Sequence, residues 1–221
     1  MAGNKPSTRR AEITVLAGVN GAGKSSIGGT FLRANGAECF NPDEVARSFM
    51  TANPGLSQRQ ANADAWQPGK RLLEAAIASG TAFTFETTLG GRTIAELLID
   101  AAAGGGASVH IWYVGLESVE LHLRRVAARA AKGGHDIPES DIRKRWHTSH
   151  ANIIRLIPYV TTLRVFDNSL ERDPAKGEAP DPKLVLAIEK KRLSFPPPVR
   201  LSDTPQWAKP IVFAAYQHFG R

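Results

Sequence analysis

The chain has a single cysteine, Cys39, among its 221 residues, so no internal disulfide can form and a disulfide-built scaffold is excluded. No uninterrupted apolar stretch approaches the length of a bilayer-spanning helix, which argues against a membrane protein. The first ten residues carry charge but lack the apolar segment of a secretory signal, so a soluble, cytoplasmic protein is expected. Acidic residues are in deficit, 21 against 28 Lys and Arg, for a formal net charge of +7. That excess invites a nucleic-acid reading, and its placement argues against one. Residues 1–11 hold three basic and no acidic groups, 12–168 hold 16 and 15, and 169–221 hold nine and six. The surplus lies mainly at the ends, no recognition motif accompanies it, and a nucleic-acid partner is not expected.

What is present is a globular composition, 42% hydrophobic and 22% charged, in a chain long enough to enclose a core without staples. Residues 13–17 are almost wholly apolar rather than alternating, which suits a strand covered on both faces in a parallel sheet. Similar runs follow at 37–40, 82–86, 109–116 and 162–166. Helical spacing separates them at 24–33, 43–50, 59–79, 92–103, 119–131 and 137–157. This alternation predicts an α/β fold with a parallel sheet flanked by helices. After Asn168, prolines and glycine mark a loop; residues 184–193 read as a helix and Pro196, Pro197 and Pro198 as an extended linker. Trp207, Ile211, Val212, Tyr216 and Phe219 read as a terminal helix docked on the body, since exposed together they would form a sticky patch.

Directly after the first strand stands Gly18-Val19-Asn20-Gly21-Ala22-Gly23-Lys24-Ser25, which fits G-x-x-x-x-G-K-[ST] at every specified position. Glycines let backbone N–H groups curl around a phosphate, and a helix starting at Lys24 would aim its positive end at the same anion. Lys24 would reach the β- and γ-phosphates and Ser25 would offer its hydroxyl to magnesium. The fold expected is therefore a P-loop NTPase-type sheet.

Asn41-Pro42-Asp43-Glu44 follows the second apolar run, so Asp43 should stand at the sheet edge where ligands of open α/β sheets bind. There it suits a base that aligns an acceptor hydroxyl, or else caps the helix that begins beside it. Glu86, Thr87 and Thr88 end the third run at the same edge, either to hold a polar acceptor or to cap the helix near Arg92. Between Arg124 and Arg145 lie seven basic and three acidic residues. Arg125 and Arg129 are four apart on one helix face, Gly133-Gly134 form a hinge, and Asp136-Ile137-Pro138-Glu139 reads as a capped restart of a second helix carrying Arg143, Lys144 and Arg145. The pair reads as a lid over 124–145 that excludes water from a triphosphate, or as a solvated basic hairpin.

Taken together, Gly18 to Ser25, Asn41-Pro42-Asp43-Glu44, Phe85-Glu86-Thr87-Thr88-Leu89, Arg125-Val126 with Gly133-Gly134-His135, and Asp167-Asn168-Ser169 resemble the zeta-toxin family of P-loop kinases in order and spacing. The resemblance covers roughly residues 12–169, with 1–11 as a basic leader and 170–221 as a peripheral extension on the same domain. Zeta toxins use ATP and magnesium to phosphorylate UDP-N-acetylglucosamine on a sugar hydroxyl, and many are restrained by an antitoxin. The resemblance implies catalytic roles for Lys24, Asp43, Arg129 and Arg143 or Arg145. It implies nucleotide contacts at Gly18, Asn20, Gly21, Ala22, Gly23, Lys24, Ser25, Ser26, Arg125 and Asn168, with Arg125 against adenine. The acceptor would meet Asp43, Glu86, Thr88 and Arg92, and Ser25 would ligate the metal. The family's pattern has an arginine two residues after the pocket threonine, where this chain has Gly90 and Arg92 is the nearest replacement. No apolar strand ends in a plain Walker-B aspartate, which leaves Glu86, Asp43 or water as outer partners of magnesium. The expected activity is transfer of the γ-phosphoryl group to a hydroxyl of a nucleotide sugar, with ATP hydrolysis by a binding module, or transfer to another small metabolite or a polynucleotide, as the alternatives.

Overall fold

The computed structural model describes residues 9–24, 27–28, 38–134, 136–170 and 181–220. Six strands form one sheet in the order β2-β1-β3-β4-β5-β6. In chain order they are β1 (Ala11–Ala17), β2 (Phe83–Thr87), β3 (Ala107–Gly115), β4 (Thr162–Asp167), β5 (Lys183–Glu189) and β6 (Arg192–Phe195). The first four run parallel, β1 lying between β2 and β3, whereas β5 and β6 add antiparallel. The α-helices named among the described residues are α1 (Pro42–Ala52), α2 (Gln58–Ser79), α3 (Arg92–Ala103), α4 (Val119–Ala131), α5 (Glu139–Leu156) and α6 (Lys209–Phe219).

Burial explains the apolar runs. In β1, Ile13, Val15 and Ala17 are fully enclosed and Leu16 nearly so, as a central parallel strand requires. One continuous core joins Ile13, Val15, Ile111 and Tyr113 of the sheet to Leu98, Ile153, Leu156 and Ile211 of the helices. The terminal helix docks as its apolar spacing predicted: Ile211 and Val212 are buried, Trp207 is buried in the turn before it, and Tyr216 and Phe219 pack on the same core.

Four expectations need correction. The second apolar run makes no full strand among its described residues; Phe40 forms an isolated parallel bridge with Phe85, its N–H donating to Thr84 O at 2.9 Å and its carbonyl accepting from Glu86 N at 2.9 Å. Residues 184–193 form a β-hairpin rather than a helix. Val185 through Ile188 are all buried, and a short apolar run fits either period until burial on both sides selects the strand. Lys190 and Lys191, with φ of 50° and 61°, make the two-residue left-handed turn that a twisted hairpin demands. Finally, Asp136 does not cap α5: Pro138 occupies the cap position without a side-chain bond, and Asp136 Oδ1 accepts from Ile137 N. Pro198, read as linker, instead opens a 3-10 turn over Pro198–Asp203.

Candidate functional site

The parallel strands deliver their carboxyl ends to one edge, where the loop after β1 begins. Gly18 has φ 143°, and a Cβ there would lie 2.2 Å from the Val114 carbonyl oxygen, so only glycine lets the loop leave the sheet beside β3. Gly21 and Gly23 also take positive φ. Two loop carbonyls turn away from the cavity and are satisfied from behind. Asn168, after β4, donates through Nδ2 to Ala22 O at 2.9 Å, and His122 of α4 donates through Nδ1 to Asn20 O at 2.8 Å. Turning those oxygens outward removes two negative dipoles from the place an anion would occupy. Ile27 N donates to Gly23 O, starting the helix at the loop's exit. Ser25, Ser26 and His135 lie outside the described residues.

His122 is fully enclosed, and burial, reinforced by the nearby Lys24 charge and opposed by its bond to Asn20, brings its pKa down to about 4. The ring is neutral at pH 7, with Nδ1 carrying the proton and Nε2 buried without a hydrogen-bond partner among the described residues. Sequence reasoning missed this residue because it sits among apolar positions of α4 and resembles a core histidine.

A cavity of about 450 Å³ opens beside the loop. Lys24, Asp43, Glu86, Thr88 and Asn20 all line it, so the residues proposed to handle phosphate and acceptor meet in one hollow. At its wall Lys24 Nζ stands 3.4 Å from Glu86 Oε1, with both side chains about nine-tenths buried, so each charge supplies the other's counter-charge. Asp43 is half-buried and makes no side-chain hydrogen bond or ion pair with a described residue. It is not the helix cap: Asn41 is, its Oδ1 accepting from Asp43 N at 2.9 Å, which leaves the Asp43 carboxylate available. Thr87 and Thr88 do not cap α3 either. Gly91 holds that position, and the two hydroxyls accept from Leu89 N and Gly90 N to shape the turn between β2 and α3.

The α4–α5 hairpin lies against the phosphate loop. Val19 packs with Val126, Ile137 and Ile142 in a small second core, and Arg145 Nη1 donates to Asn20 Oδ1 at 2.9 Å. Arg145 lines the cavity, whereas Arg143 pairs outside it with Glu139 at 2.7 Å and Glu120 at 3.1 Å. Arg129 is exposed and Arg92 forms an exposed pair with Glu96 at 3.2 Å; neither lines the cavity. Arg125 stands on the other flank of the loop, its Nη2 3.5 Å from the carbonyl oxygens of Ser169 and Leu170. Gly90 has a spatial reason: a Cβ there would come within 2.7 Å of Arg145 Cγ, so the missing side chain makes room for the stem of Arg145. Thr148 and Asn152 of α5 hold that turn by donating to the carbonyls of Gly90, Leu89 and Gly91. Lys144 of α5 also lines the cavity, as do Asn62 and Trp66 of α2, which were not anticipated. The only signal for Asn62 and Trp66 in the sequence is their four-residue spacing.

Residues 13–148 match the AAA_33 profile, described as an AAA domain. An uncharacterised protein of Haemophilus influenzae is 33% identical over 129 residues, 58% of this chain and 88% of its own length. Among solved structures, the AvrRxo1-ORF1:ORF2 complex with ATP is similar with a TM-score of 0.63 and 18% identity over 90% of this chain, which spans 65% of that one. The PezAT toxin-antitoxin system of Streptococcus pneumoniae is similar with a TM-score of 0.54 and 14% identity, over 79% of this chain and 75% of that one. At these identities both likenesses concern the fold. No helix among the described residues is long and apolar enough to cross a membrane.

Proposed function

From the premise that the chain belongs to the AAA_33 family of AAA domains, with a P-loop kinase-like fold, we propose that it is an ATP-dependent small-molecule kinase. The γ-phosphoryl group goes to a hydroxyl, and the zeta-toxin resemblance points to a nucleotide sugar, UDP-N-acetylglucosamine in particular, as acceptor. The observation that carries the reading is the shared cavity: Lys24 of the phosphate loop and the unengaged carboxylate of Asp43 face one hollow with room for a second molecule. A hydrolysing module needs no such acceptor space.

In this reading the loop amides and Lys24 hold the β- and γ-phosphates, and Asp43 aligns the acceptor hydroxyl. As the new oxygen–phosphorus bond forms, the bond to the β-phosphate oxygen breaks, ADP leaves and Asp43 takes the hydroxyl proton. A carboxylate suffices because a loose transition state demands alignment first and proton acceptance late. Arg145 adds positive charge beside the loop, and the 124–145 lid excludes water that would compete for the phosphoryl group. The oxygen-rich surroundings suit magnesium: the phosphates and Ser25 would hold it, with Glu86 or Asp43 acting directly or through water, and the ion would neutralise charge on the phosphates. Arg125 and Asn168, near the segment after β4, border the place proposed for the adenosine. A cytoplasmic setting and restraint by an antitoxin belong to the same proposal, supported by the resemblance to zeta toxins.

The test incubates the protein with ATP, magnesium and a panel of nucleotide sugars and nucleosides. A product heavier by ~80 daltons, one added HPO₃, is expected by mass spectrometry. Asp43→Asn should lower transfer by about 100-fold or more while leaving ATP binding intact. ATP hydrolysis with no adduct across the panel would overturn the kinase reading in favour of a nucleotide-hydrolysing module.

A further inference from the structure

Two residues beside the cavity break local rules, and they meet each other. Leu89, in the turn between β2 and α3, has φ 51°, a left-handed backbone that a bulky side chain rarely adopts. Its side chain is 1% exposed and belongs to the main core, so it cannot swing out to relieve the twist. Asn152 lies in the interior of α5 and is 4% exposed, although asparagine favours neither a helix nor burial. Its Nδ2 donates to Leu89 O at 2.8 Å and to Gly91 O at 3.0 Å, and its Oδ1 accepts from Arg155 Nη1 at 3.3 Å. With the oxygen turned to the guanidinium, both amide N–H groups face the turn.

The turn is fastened at both ends. At its start Gly18 N, of the phosphate loop, donates to Thr87 O at 3.2 Å. At its end stands α5, where Arg145, Thr148 and Asn152 follow one another at helical spacing on one face. Arg145 Nη1 reaches Asn20 Oδ1 at 2.9 Å and Thr148 Oγ1 lies 2.9 Å from Gly90 O. The single proton of Thr148 is contested by Lys144 O, also 2.9 Å away, so Asn152 is the firmer hold. Between the two fastenings Thr87, Thr88, Gly90 and Gly91 line the cavity. The Thr88 hydroxyl accepts from Gly90 N at 3.3 Å, which leaves its own proton to offer to a bound molecule in a direction set by the turn.

We infer that Asn152 is a positioning residue for the acceptor. It touches no substrate; through the carbonyls of Leu89 and Gly91 it holds the strained turn that sets Thr88 and the Gly90–Gly91 surface against the hollow shared with Asp43. Strain of this kind persists only where the surroundings over-determine it. Removing the amide frees Leu89 to relax toward an ordinary backbone, and the acceptor wall loses its shape. The phosphate loop keeps its own, because its carbonyls at Asn20 and Ala22 are held by His122 and Asn168 instead. The inference rests on the transfer reading above and deepens it by naming what fixes the acceptor side of the site.

The test compares wild type with Asn152→Leu, which keeps the size and loses both donors, and with Thr148→Val, a milder change at a half-buried position that decides the matter if the first variant folds poorly. Transfer rates are measured at saturating ATP with UDP-N-acetylglucosamine and the other nucleotide sugars and nucleosides of the panel. The affinity of a non-hydrolysable ATP analogue and amide hydrogen exchange are measured on the same proteins. For the probe that wild type phosphorylates, kcat/KM should fall by about tenfold or more in Asn152→Leu and by about threefold in Thr148→Val, with the analogue's affinity within about twofold of wild type in both. Exchange should quicken at Leu89, Gly90 and Gly91 and stay as it was over 18–24. An unchanged kcat/KM for that probe, or an analogue affinity that falls as far as kcat/KM does, would overturn the positioning role and reduce the contact to one of stability alone. No adduct from wild type across the panel would overturn the transfer reading and this inference together, so wild type alone tells the two failures apart.

Discussion

Lys24 and Glu86 balance each other's charge at the cavity wall. A buried ammonium is tolerated because a carboxylate lies 3.4 Å away, and a phosphate entering the loop must draw Lys24 partly from that partner. Glu86→Gln removes the partner and leaves the lysine's charge enclosed. The variant should be less stable by about 3 kcal/mol in the absence of nucleotide. It should also gain more melting temperature from a saturating ATP analogue than wild type does, because the phosphates would then meet an uncompensated lysine. Thermal melts with and without the analogue check both statements; equal gains would show that the two groups do not compete. Residue-scale placement also marks where sequence reasoning stops. Lys24 and Asp43 were legible because each is fixed by a neighbour in sequence, the loop motif for one and the Phe40 bridge with the Asn41 cap for the other. The choice between Arg143 and Arg145 was not. Two positions along a helix are about 200° apart around its axis, so the direction in which α5 presents each guanidinium depends on packing against Val19 and Gly90, which no local pattern encodes.

Strand β1 was readable because burial on both faces writes itself as a nearly unbroken apolar run, and β2, β3 and β4 because each is a short apolar-rich stretch set between helical segments. The helices between them were readable from their spacing, α3 and α4 to the residue. The hairpin of β5 and β6 was not, since the run from Leu184 to Ile188 suits either period and the turn lacks the asparagine and glycine that announce a two-residue loop. Lys190 and Lys191 adopt left-handed φ without the residue types that favour it, so this turn carries avoidable strain. Replacing the pair by Asn and Gly should stabilise the protein by about 1 kcal/mol, through relief of that strain, with no effect on nucleotide binding. Chemical denaturation measures the first and calorimetry the second; a neutral or destabilising result would mean that the lysine side chains contribute more than their backbone costs. Trp66 and Asn62 were hidden for another reason. They belong to a helix packed on α1 through Ala61 and Ala65, a contact between elements rather than a property of either.

For the molecule as a whole, His122 ties stability to pH. Its pKa is about 4 when folded against an ordinary value of 6.5, so between those limits the unfolded chain binds the proton and the native one does not. Stability therefore rises with pH through this window, and acidification from 6.5 to 4 should remove about 3 kcal/mol through this one ring. His122→Gln, which can still donate an amide N–H toward Asn20 O, should flatten that part of the stability curve in denaturation experiments at stepped pH. An unchanged slope would assign the acid sensitivity elsewhere. The basic excess that first suggested nucleic acid is spread thinly: Arg143, Arg92, Arg164 and Arg200 all stand in exposed pairs with carboxylates rather than in one cationic face. The bond from Arg145 to Asn20 has a kinetic corollary. It spans from the α4–α5 hairpin to the rim of the phosphate loop, so a guest passing that rim must wait for the two side chains to part. In the proposed kinase, residence time is thereby coupled to breathing of the hairpin, and the release step inherits a ceiling that a faster transfer step could not raise.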